Sequence, residues 1–210
     1  EQNEDRAEDV ENDEGEKDKK VPEKKKISDI KKDLVEACKT YQKHVPKGDK
    51  IVDVKYTMAR VFYEHNHLEK AIAIFKDIAF NHPEHGLAVV SANLHLDAVN
   101  LMDDFEMLHQ AVSKYSEERP FEDQEFYSSV DKLNRAIRFK LCREKENAEE
   151  WRPAATCYVN FYKDFPDSNH VDKALYNAAL AFERVKELGK AIQVRVFLLK
   201  ATPNSDLAPE

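Results

Sequence analysis

The spacing of the prolines constrains the fold of this 210-residue chain more than any other feature of the sequence. Pro46, Pro83 and Pro120 are 37 residues apart, and the same interval separates Pro166 from Pro203. The interval between Pro120 and Pro166 is 46 residues, which is nine residues longer. A fixed period in this range is the signature of a protein built from stacked repeats. The sequence therefore predicts five repeat units in register, which end near these five prolines.

Apolar residues recur at fixed distances before each proline. The positions twelve residues before the prolines hold Leu34, Ala71, Leu108, Ala154 and Ala191. The positions five residues before them hold Tyr41, Ile78, Tyr115, Phe161 and Leu198. A small residue lets two helices approach closely, and a large apolar residue one or two turns later fills the space between neighbours. Proline then ends the helix because it has no N–H for the next backbone hydrogen bond.

Helical periodicity covers nearly all of the chain after residue 27. In residues 171–185 and again in residues 68–79, apolar side chains follow the spacing of one helical face. The polar breaks between such segments are short, which favours antiparallel neighbours and an all-α fold. In the unit 122–166 the first helix is overlong. Its extra nine residues are compatible with a longer helix or with a kinked insertion, and either would reshape the surface near residues 122–140.

The repeated pattern resembles the tetratricopeptide repeat (TPR) family. The unit 59–83 matches the family signature at Ala59, Phe62, Ala71, Phe75, Ile78 and Pro83. The unit 179–203 matches it at Ala179, Phe182, Gly189, Ala191, Leu198 and Pro203. Arg195 departs from the signature, and so does Leu108, where a small residue is expected. The resemblance covers about residues 30 to 205 and implies a TPR-like α-solenoid of antiparallel helix pairs with about nine helices.

The same resemblance implies a function. First helices of TPR pairs line a concave face, so this chain is expected to be a non-catalytic scaffold or adaptor that binds a partner peptide or domain there. Aromatic and arginine side chains suit such a face because they bury a large area with few rotatable bonds. Packing between helices is an equally open role for each residue. By register the partner-binding positions are Tyr56, Arg60, Tyr63, Asn93, Asp97, Phe139, Arg143, Tyr176, Leu180 and Glu183.

Two segments resemble particular groups of TPR proteins. Residues 158–192 resemble the TPR segments of bacterial outer-membrane assembly lipoproteins and of coordinator proteins associated with the Tol–Pal system. Residues 91–108 resemble TPR proteins from deltaproteobacteria, some of which are connected with gliding motility. These resemblances imply a role in an envelope assembly or motility complex, in the periplasm or associated with the outer membrane. A cytoplasmic location is the alternative.

The two ends of the chain differ from its body. Residues 1–26 hold eleven acidic and seven basic side chains but only three apolar ones, so we predict a disordered charged tail. Residues 27–210 are predicted to form the helical repeat domain. The chain lacks an initiating methionine and ends on DLAPE, from which we expect a processed form or an excised fragment with a longer repeat array. A signal peptide or lipid-bearing cysteine would then lie outside it.

Composition argues against several classes of function. The net charge is −8 and no sustained basic stripe occurs, which disfavours nucleic-acid binding. No apolar run approaches the roughly 20 residues needed to span a bilayer. Cys38, Cys142 and Cys157 are odd in number and lack CxxC spacing, so we expect buried apolar side chains and no disulfide framework. No cofactor-binding motif is recognised.

Four histidines, His65, His67, His82 and His85, surround one apolar segment. The architecture places the first two and the last two in turns at opposite ends of one helix, roughly 20 Å apart at 1.5 Å per residue. Zinc requires ligand atoms about 2 Å from one point, so these residues are not expected to form one metal site. No catalytic constellation is apparent. A self-assembling structural element, possible as a homo-oligomer, remains an alternative function, and a metal-binding or enzymatic protein is a weaker one.

Overall fold

The computed structural model describes residues 21–207, and nine α-helices account for most of that range. No β-strand occurs within these described residues. The prediction of an all-α, solenoid-like fold with about nine helices in antiparallel pairs is confirmed. In chain order the helices are α1 (Asp29–His44), α2 (Ile51–Glu64), α3 (Leu68–Asn81), α4 (Ala88–Leu101), α5 (Phe105–Glu118), α6 (Gln124–Asn147), α7 (Trp151–Asp164), α8 (Val171–Arg184) and α9 (Leu188–Ala201).

The chain divides into two compact units. Unit 1 extends to Asp104 and contains α1 to α4, whereas unit 2 starts at Phe105 and contains α5 to α9. In unit 1, α1 packs against α2, α2 against α3, and α3 against α4. In unit 2 the same consecutive packing runs from α5 to α9. Short turns between helices produce this arrangement because they leave each helix beside the one that follows it.

The repeat register is visible in how the helices end. The helix before each of the five prolines ends two residues ahead of it. The N–H group of the residue directly before each proline then donates to the carbonyl oxygen of the core residue four positions earlier. Four of the five acceptors are buried in the interior, whereas Tyr41 is half-buried, and each accepts the last hydrogen bond of its helix. These donor and acceptor pairs are Val45 and Tyr41, His82 and Ile78, Arg119 and Tyr115, Phe165 and Phe161, and Thr202 and Leu198.

A left-handed residue recurs in the turn between the two helices of each pair. Asn66 has φ 58°, Asp103 53°, Glu149 58° and Lys186 61°, and these positions keep the spacing of the prolines. Glycine adopts this backbone conformation without steric cost, yet none of the four is glycine. In three turns the residue after the left-handed one donates to a carbonyl five positions earlier, from His67 to Phe62, from Glu150 to Lys145 and from Glu187 to Phe182. The sequence contained no glycine that would have indicated these turns.

Each unit is held together by small residues interleaved with aromatic ones. In unit 1, Ala59, Ala71 and Phe75 are fully buried between α2 and α3. In unit 2, Ala155 and Tyr158 are fully buried within the cluster that joins α7 to α8. Alanine at the contacts lets the helix backbones approach, and the aromatic rings fill the remaining volume at the density of a protein interior.

Helix α6 is continuous over 24 residues, whereas α5 and α7 on either side have 14 each. Asp123 caps its start, because its carboxylate accepts a hydrogen bond of 2.7 Å from the backbone N–H of Phe126. The nine-residue extension of the repeat is therefore extra helix and not a kinked insertion.

Cys142 of α6 and Cys157 of α7 form a disulfide with a Cα–Cα distance of 5.4 Å. The prediction that no disulfide is present is therefore wrong. The physical reason is the antiparallel pairing of the two helices, which brings together two residues that lie at nearly equal distances from the turn connecting them. Cys38 is a buried free thiol, in keeping with the expectation for this residue.

The segment before α1 contacts the turn between α2 and α3. The Lys25 N–H donates to the carbonyl oxygen of His65 at 2.9 Å, and the Asn66 side-chain amide donates to the Glu23 carbonyl at 2.9 Å. Lys24 pairs with Glu69 at 3.1 Å. Residues 21–26, which the sequence placed in the charged tail, thus lie against the helical body, and the rest of that tail is outside the described residues.

Candidate partner-binding surfaces

Helix α2 presents Tyr56, Arg60 and Tyr63 on one face, at the spacing that places side chains one above another. All three side chains are half-buried. Both tyrosine rings rest on Phe75 of α3, with centroid distances of 5.9 Å for Tyr56 and 6.2 Å for Tyr63. The core therefore fixes one side of each ring, while part of the side chain remains open to solvent.

The predicted residues on α4 continue this surface. The hydroxyl of Tyr63 donates a hydrogen bond to the carboxylate of Asp97, and the Asn93 amide donates to the Val89 carbonyl at 3.2 Å. Burial raises the pKa of Tyr63 to about 12, and the hydrogen bond to Asp97 adds to the rise. The phenol is consequently protonated at neutral pH and available as a donor.

Two residues that the sequence did not single out hold Arg60 in place. One Arg60 Nη atom lies 3.0 Å from the Glu64 carboxylate, and Lys31 of α1 binds the same carboxylate at 3.1 Å. The second Nη atom of Arg60 lies 3.5 Å from the Tyr56 hydroxyl. The hydrogen bond from Lys31 lowers the pKa of Glu64, and Arg60 lowers it further. We call the set Tyr56, Arg60, Tyr63, Glu64, Asn93 and Asp97 the unit 1 surface.

The predicted residues of α6 have different environments. The Phe139 ring lies 5.6 Å from the Tyr158 ring, 5.5 Å from Phe161 and 5.2 Å from the His170 imidazole. These contacts place Phe139 among the packing residues of unit 2. Arg143, one turn later, is exposed. Of this pair, Arg143 is the side chain that a partner could contact over most of its surface.

On α8, Tyr176 and Leu180 are half-buried beside the core of unit 2. Glu183 accepts two hydrogen bonds from the Arg195 guanidinium of α9, at 3.2 Å and 2.8 Å. Arg195 is the residue that departs from the TPR signature, and its ion pair with Glu183 joins α9 to α8 beside their apolar contacts.

A partly buried polar network in unit 2 was not foreseen. The Tyr158 hydroxyl donates to the Glu146 carboxylate at 2.6 Å, and the Asn177 amide donates to the Tyr158 hydroxyl at 3.4 Å. Burial raises the pKa of Tyr158 well above that of a free phenol, and Glu146 adds to the effect. The amide of Asn177 is thus directed at the interior and joins α8 to α7.

The histidines lie in turns, as the sequence predicted. His65 and His67 flank the α2–α3 turn, and His82 follows the end of α3. One His65 ring nitrogen lies 2.8 Å from the Val61 carbonyl, and one His67 ring nitrogen lies 3.1 Å from the Lys25 carbonyl. The His65 ring therefore contacts the last turn of α2, and the His67 ring contacts the segment that precedes α1.

Among residues 21–207 no three His, Cys, Asp or Glu side chains come together in a way that could hold a metal ion. None of the helices described is both long enough and apolar enough to cross a membrane.

No protein-family model matches the chain, and no curated protein sequence matches it.

Proposed function

We propose that this chain is a TPR-type, non-catalytic scaffold that binds a peptide or domain of a partner protein through the unit 1 surface. The observation that carries the proposal is the arrangement of Tyr56, Arg60 and Tyr63 along α2, with Asp97 beside them on α4. The rings are packed on Phe75 and the polar ends are hydrogen-bonded to one another. Side chains that are already ordered lose less conformational entropy on binding, which favours affinity.

Unit 2 contributes a second set of contacts in this proposal. Arg143 is exposed, and Tyr176 and Leu180 are half-exposed. Arginine and tyrosine are enriched among the residues that dominate binding energy at protein interfaces. The predicted partner-binding role of Phe139 and Glu183 is the weakest part of the set, because each already contacts a neighbouring helix or turn.

We place the protein in the bacterial periplasm or at the outer membrane, within an envelope assembly or motility complex. The Cys142–Cys157 disulfide supports an oxidising compartment, because structural disulfides persist outside the cytosol and are rare within it. The type of complex rests on the sequence resemblance alone.

The test is a cross-linked capture from cells of the source organism, with partners identified by mass spectrometry. Wild type is compared with Arg60→Ala/Asn93→Ala, which alters the unit 1 surface without removing a buried ring. The matched control is Lys39→Ala/Gln110→Ala, two exposed side chains on other helices. We expect the control to keep the partner and the surface variant to lose it. Equal capture by both variants, with equal thermal stability, would place the binding site elsewhere.

Self-assembly is a second candidate function, favoured by apolar side chains on α9. Leu188 and Ile192 are 60% and 63% exposed, although Leu68 at the equivalent register position of α3 is 1% exposed. An exposed apolar stripe of this kind marks an interaction surface. Sedimentation velocity over a range of concentrations tests this function, and Ile192→Ser should abolish any concentration-dependent oligomer. A monomer at all concentrations would remove the candidate.

A further inference from the structure

The histidines at the two ends of α3 make hydrogen bonds of opposite kinds. At the α2–α3 turn, one ring nitrogen of His65 and one of His67 each face a backbone carbonyl oxygen. A carbonyl oxygen can only accept, so both ring nitrogens donate. Protonation leaves that N–H in place and adds positive charge to the donor, which strengthens such a bond. These two rings therefore keep their contacts when the pH falls.

At the other end of α3 the histidine rings accept. The Lys55 ammonium of α2 lies 3.2 Å from Nε2 of His82, and the backbone N–H of Leu87 donates to Nδ1 of His85 at 3.2 Å. An ammonium and an amide N–H can only donate, so each ring nitrogen uses its lone pair. A protonated imidazole has donors and no acceptor. Neither bond can persist once its ring is protonated.

Lys55 also binds a carboxylate of α3, which keeps its ammonium beside the His82 ring. The Lys55 side chain is 20% exposed and its Nζ lies 2.6 Å from one oxygen of Asp77. The Asn81 side-chain amide donates to the other oxygen at 2.8 Å. Burial alone would raise the pKa of Asp77, but the hydrogen bonds from Lys55 and Asn81 lower it. The carboxylate therefore stays ionised in mild acid and continues to hold Lys55.

The surroundings of His82 favour its neutral form. Burial lowers the pKa of His82, and the charge of Lys55 lowers it further; Asp77 opposes this shift, and His85 adds to it. In an unfolded chain the pKa of histidine is about 6.5. The unfolded chain therefore binds this proton at a higher pH than the folded one. The contribution of the contact to stability is fully present above pH 6.5 and is lost as the pH falls through the folded pKa of His82.

The two accepting rings hold the turn that leads into α4. His82 directly follows α3, and Leu87 directly precedes α4. The Leu87 side chain makes no capping hydrogen bond at the start of α4, so the His85 ring supplies an acceptor there. Loss of both bonds would separate this turn from α2 and leave the Leu87 N–H without its acceptor.

We propose that the α3–α4 turn, residues 82–87, is a pH-sensitive switch. At neutral pH the uncharged rings of His82 and His85 hold it to α2 and to the start of α4. In mild acid both rings become protonated and release it, while the α2–α3 turn stays closed. Acid therefore loosens one end of α3 selectively. This release does not depend on what the unit 1 surface binds.

Amide hydrogen exchange of the full chain, followed by NMR between pH 7 and pH 5, tests the switch, because histidine changes its charge in this range. The N–H groups of His85 and Ala88 report on the α3–α4 turn, and that of His67 reports on the α2–α3 turn. Each rate is corrected for the intrinsic dependence of exchange on pH. We expect protection of the α3–α4 turn to fall by up to about tenfold per pH unit for each proton bound. Protection of the His67 N–H should fall less.

A double variant separates hydrogen bonding from titration. His82→Gln/His85→Asn keeps an acceptor at both positions, because the amide oxygens of glutamine and asparagine can replace Nε2 and Nδ1. We expect its α3–α4 turn to lose no more protection at pH 5 than its α2–α3 turn does. The matched control is His65→Asn/His67→Gln, in which amide N–H groups replace the two ring donors. It should keep the pH dependence that the α3–α4 turn has in wild type.

A titration of the His82 ring, followed by its ¹³C resonances, provides a second test that does not depend on exchange. We expect a midpoint below pH 6.5 in wild type and a higher midpoint in Lys55→Met, which has neither the charge nor the donor. Each of three results would overturn the proposal. They are equal loss of protection in both turns of wild type, a wild-type pH response in His82→Gln/His85→Asn, and a His82 midpoint at or above pH 6.5. If Lys55→Met does not fold, the exchange comparison still decides.

Discussion

The Tyr63 hydroxyl donates a hydrogen bond to the Asp97 carboxylate, which joins the side chains of α2 and α4 across the face of unit 1. These are the first helices of two successive pairs, and they contribute all the residues of the unit 1 surface. The pKa of Tyr63 is raised to about 12, so its proton is retained throughout the neutral range. The surface therefore has a fixed internal link before any partner binds.

Replacement of Tyr63 by phenylalanine removes this link and keeps the ring on Phe75. We expect the free energy of unfolding to fall by about 1 kcal/mol, the typical net value of one hydrogen bond. Tyr56→Phe is the matched control on the same helix, and it should cost less because the Tyr56 hydroxyl lies 3.5 Å from Arg60. Urea unfolding measures both changes. An equal cost in the two variants would mean that the link to Asp97 contributes nothing particular.

The Cys142–Cys157 disulfide should stabilise the fold because it closes a loop and so lowers the entropy of the unfolded chain. The two cysteines are 15 residues apart, and for a loop of this size the entropic contribution is about 3 kcal/mol. We expect Cys142→Ala/Cys157→Ala to lose about 2–4 kcal/mol and to become insensitive to reductant. Thiol titration of the denatured, unreduced protein should find one free thiol, Cys38. Three free thiols would contradict the pairing, and Cys38→Ala should retain the sensitivity to reductant.

The helices could be predicted from the sequence because their signals are local. Pro46, Pro83, Pro120, Pro166 and Pro203 mark helix ends by lacking an N–H, and that property does not depend on the rest of the fold. The disulfide is a different kind of feature. It depends on the distance between two helices, and the only available signal was that Cys142 and Cys157 lie almost symmetrically about one turn. The course of α6 was ambiguous for a related reason, since a straight and a kinked helix share one apolar periodicity.

The candidate site was foreseen in part. Tyr56, Arg60 and Tyr63 could be placed on one face from their spacing alone, and the structure gathers them there. Lys31 and Glu64 were not foreseen, because a lysine and a glutamate on different helices give no signal until the helices are packed. Phe139 also illustrates this limit. Its position in the repeat suits a groove, but its ring packs against Tyr158 of α7 and His170 of the following turn.

The left-handed turn residues give a prediction about backbone strain. Lys186 has φ 61°, a conformation that costs an ordinary side chain roughly 1 kcal/mol and costs glycine nothing. We expect Lys186→Gly to raise the free energy of unfolding by up to about 1 kcal/mol, because the relief of strain exceeds the added entropy of the unfolded chain. Asp103→Gly is the matched control at the equivalent turn position, with φ 53°, and should change stability little because aspartate tolerates this region. Thermal unfolding measures both. A destabilised Lys186→Gly protein would show that the lysine side chain contributes more than its backbone strain costs.

The last prediction concerns His95, which is 3% exposed on α4. Burial lowers the pKa of His95 from 6.5 to about 4, and the charge of Lys76 lowers it further. The unfolded chain therefore binds a proton between pH 6.5 and pH 4 that the folded chain does not bind. The contribution of His95 to the free energy of unfolding is fully present above pH 6.5. It is lost as the pH falls through this window, by about 3 kcal/mol in all at 1.36 kcal/mol per pH unit.

Unfolding free energies measured between pH 7 and pH 4 test this dependence on His95. In His95→Gln the slope of unfolding free energy against pH should be smaller in that window, by the equivalent of about one proton, whatever the stability of the variant at pH 7. Ser91→Ala is the control, because Ser91 is also buried on α4 and has no titrating group. Its stability should change by the same amount at every pH. If the unfolding free energy of His95→Gln depends on pH as that of wild type does, other groups cause the acid sensitivity. The buried imidazole of His95 would then be protonated while the protein stays folded.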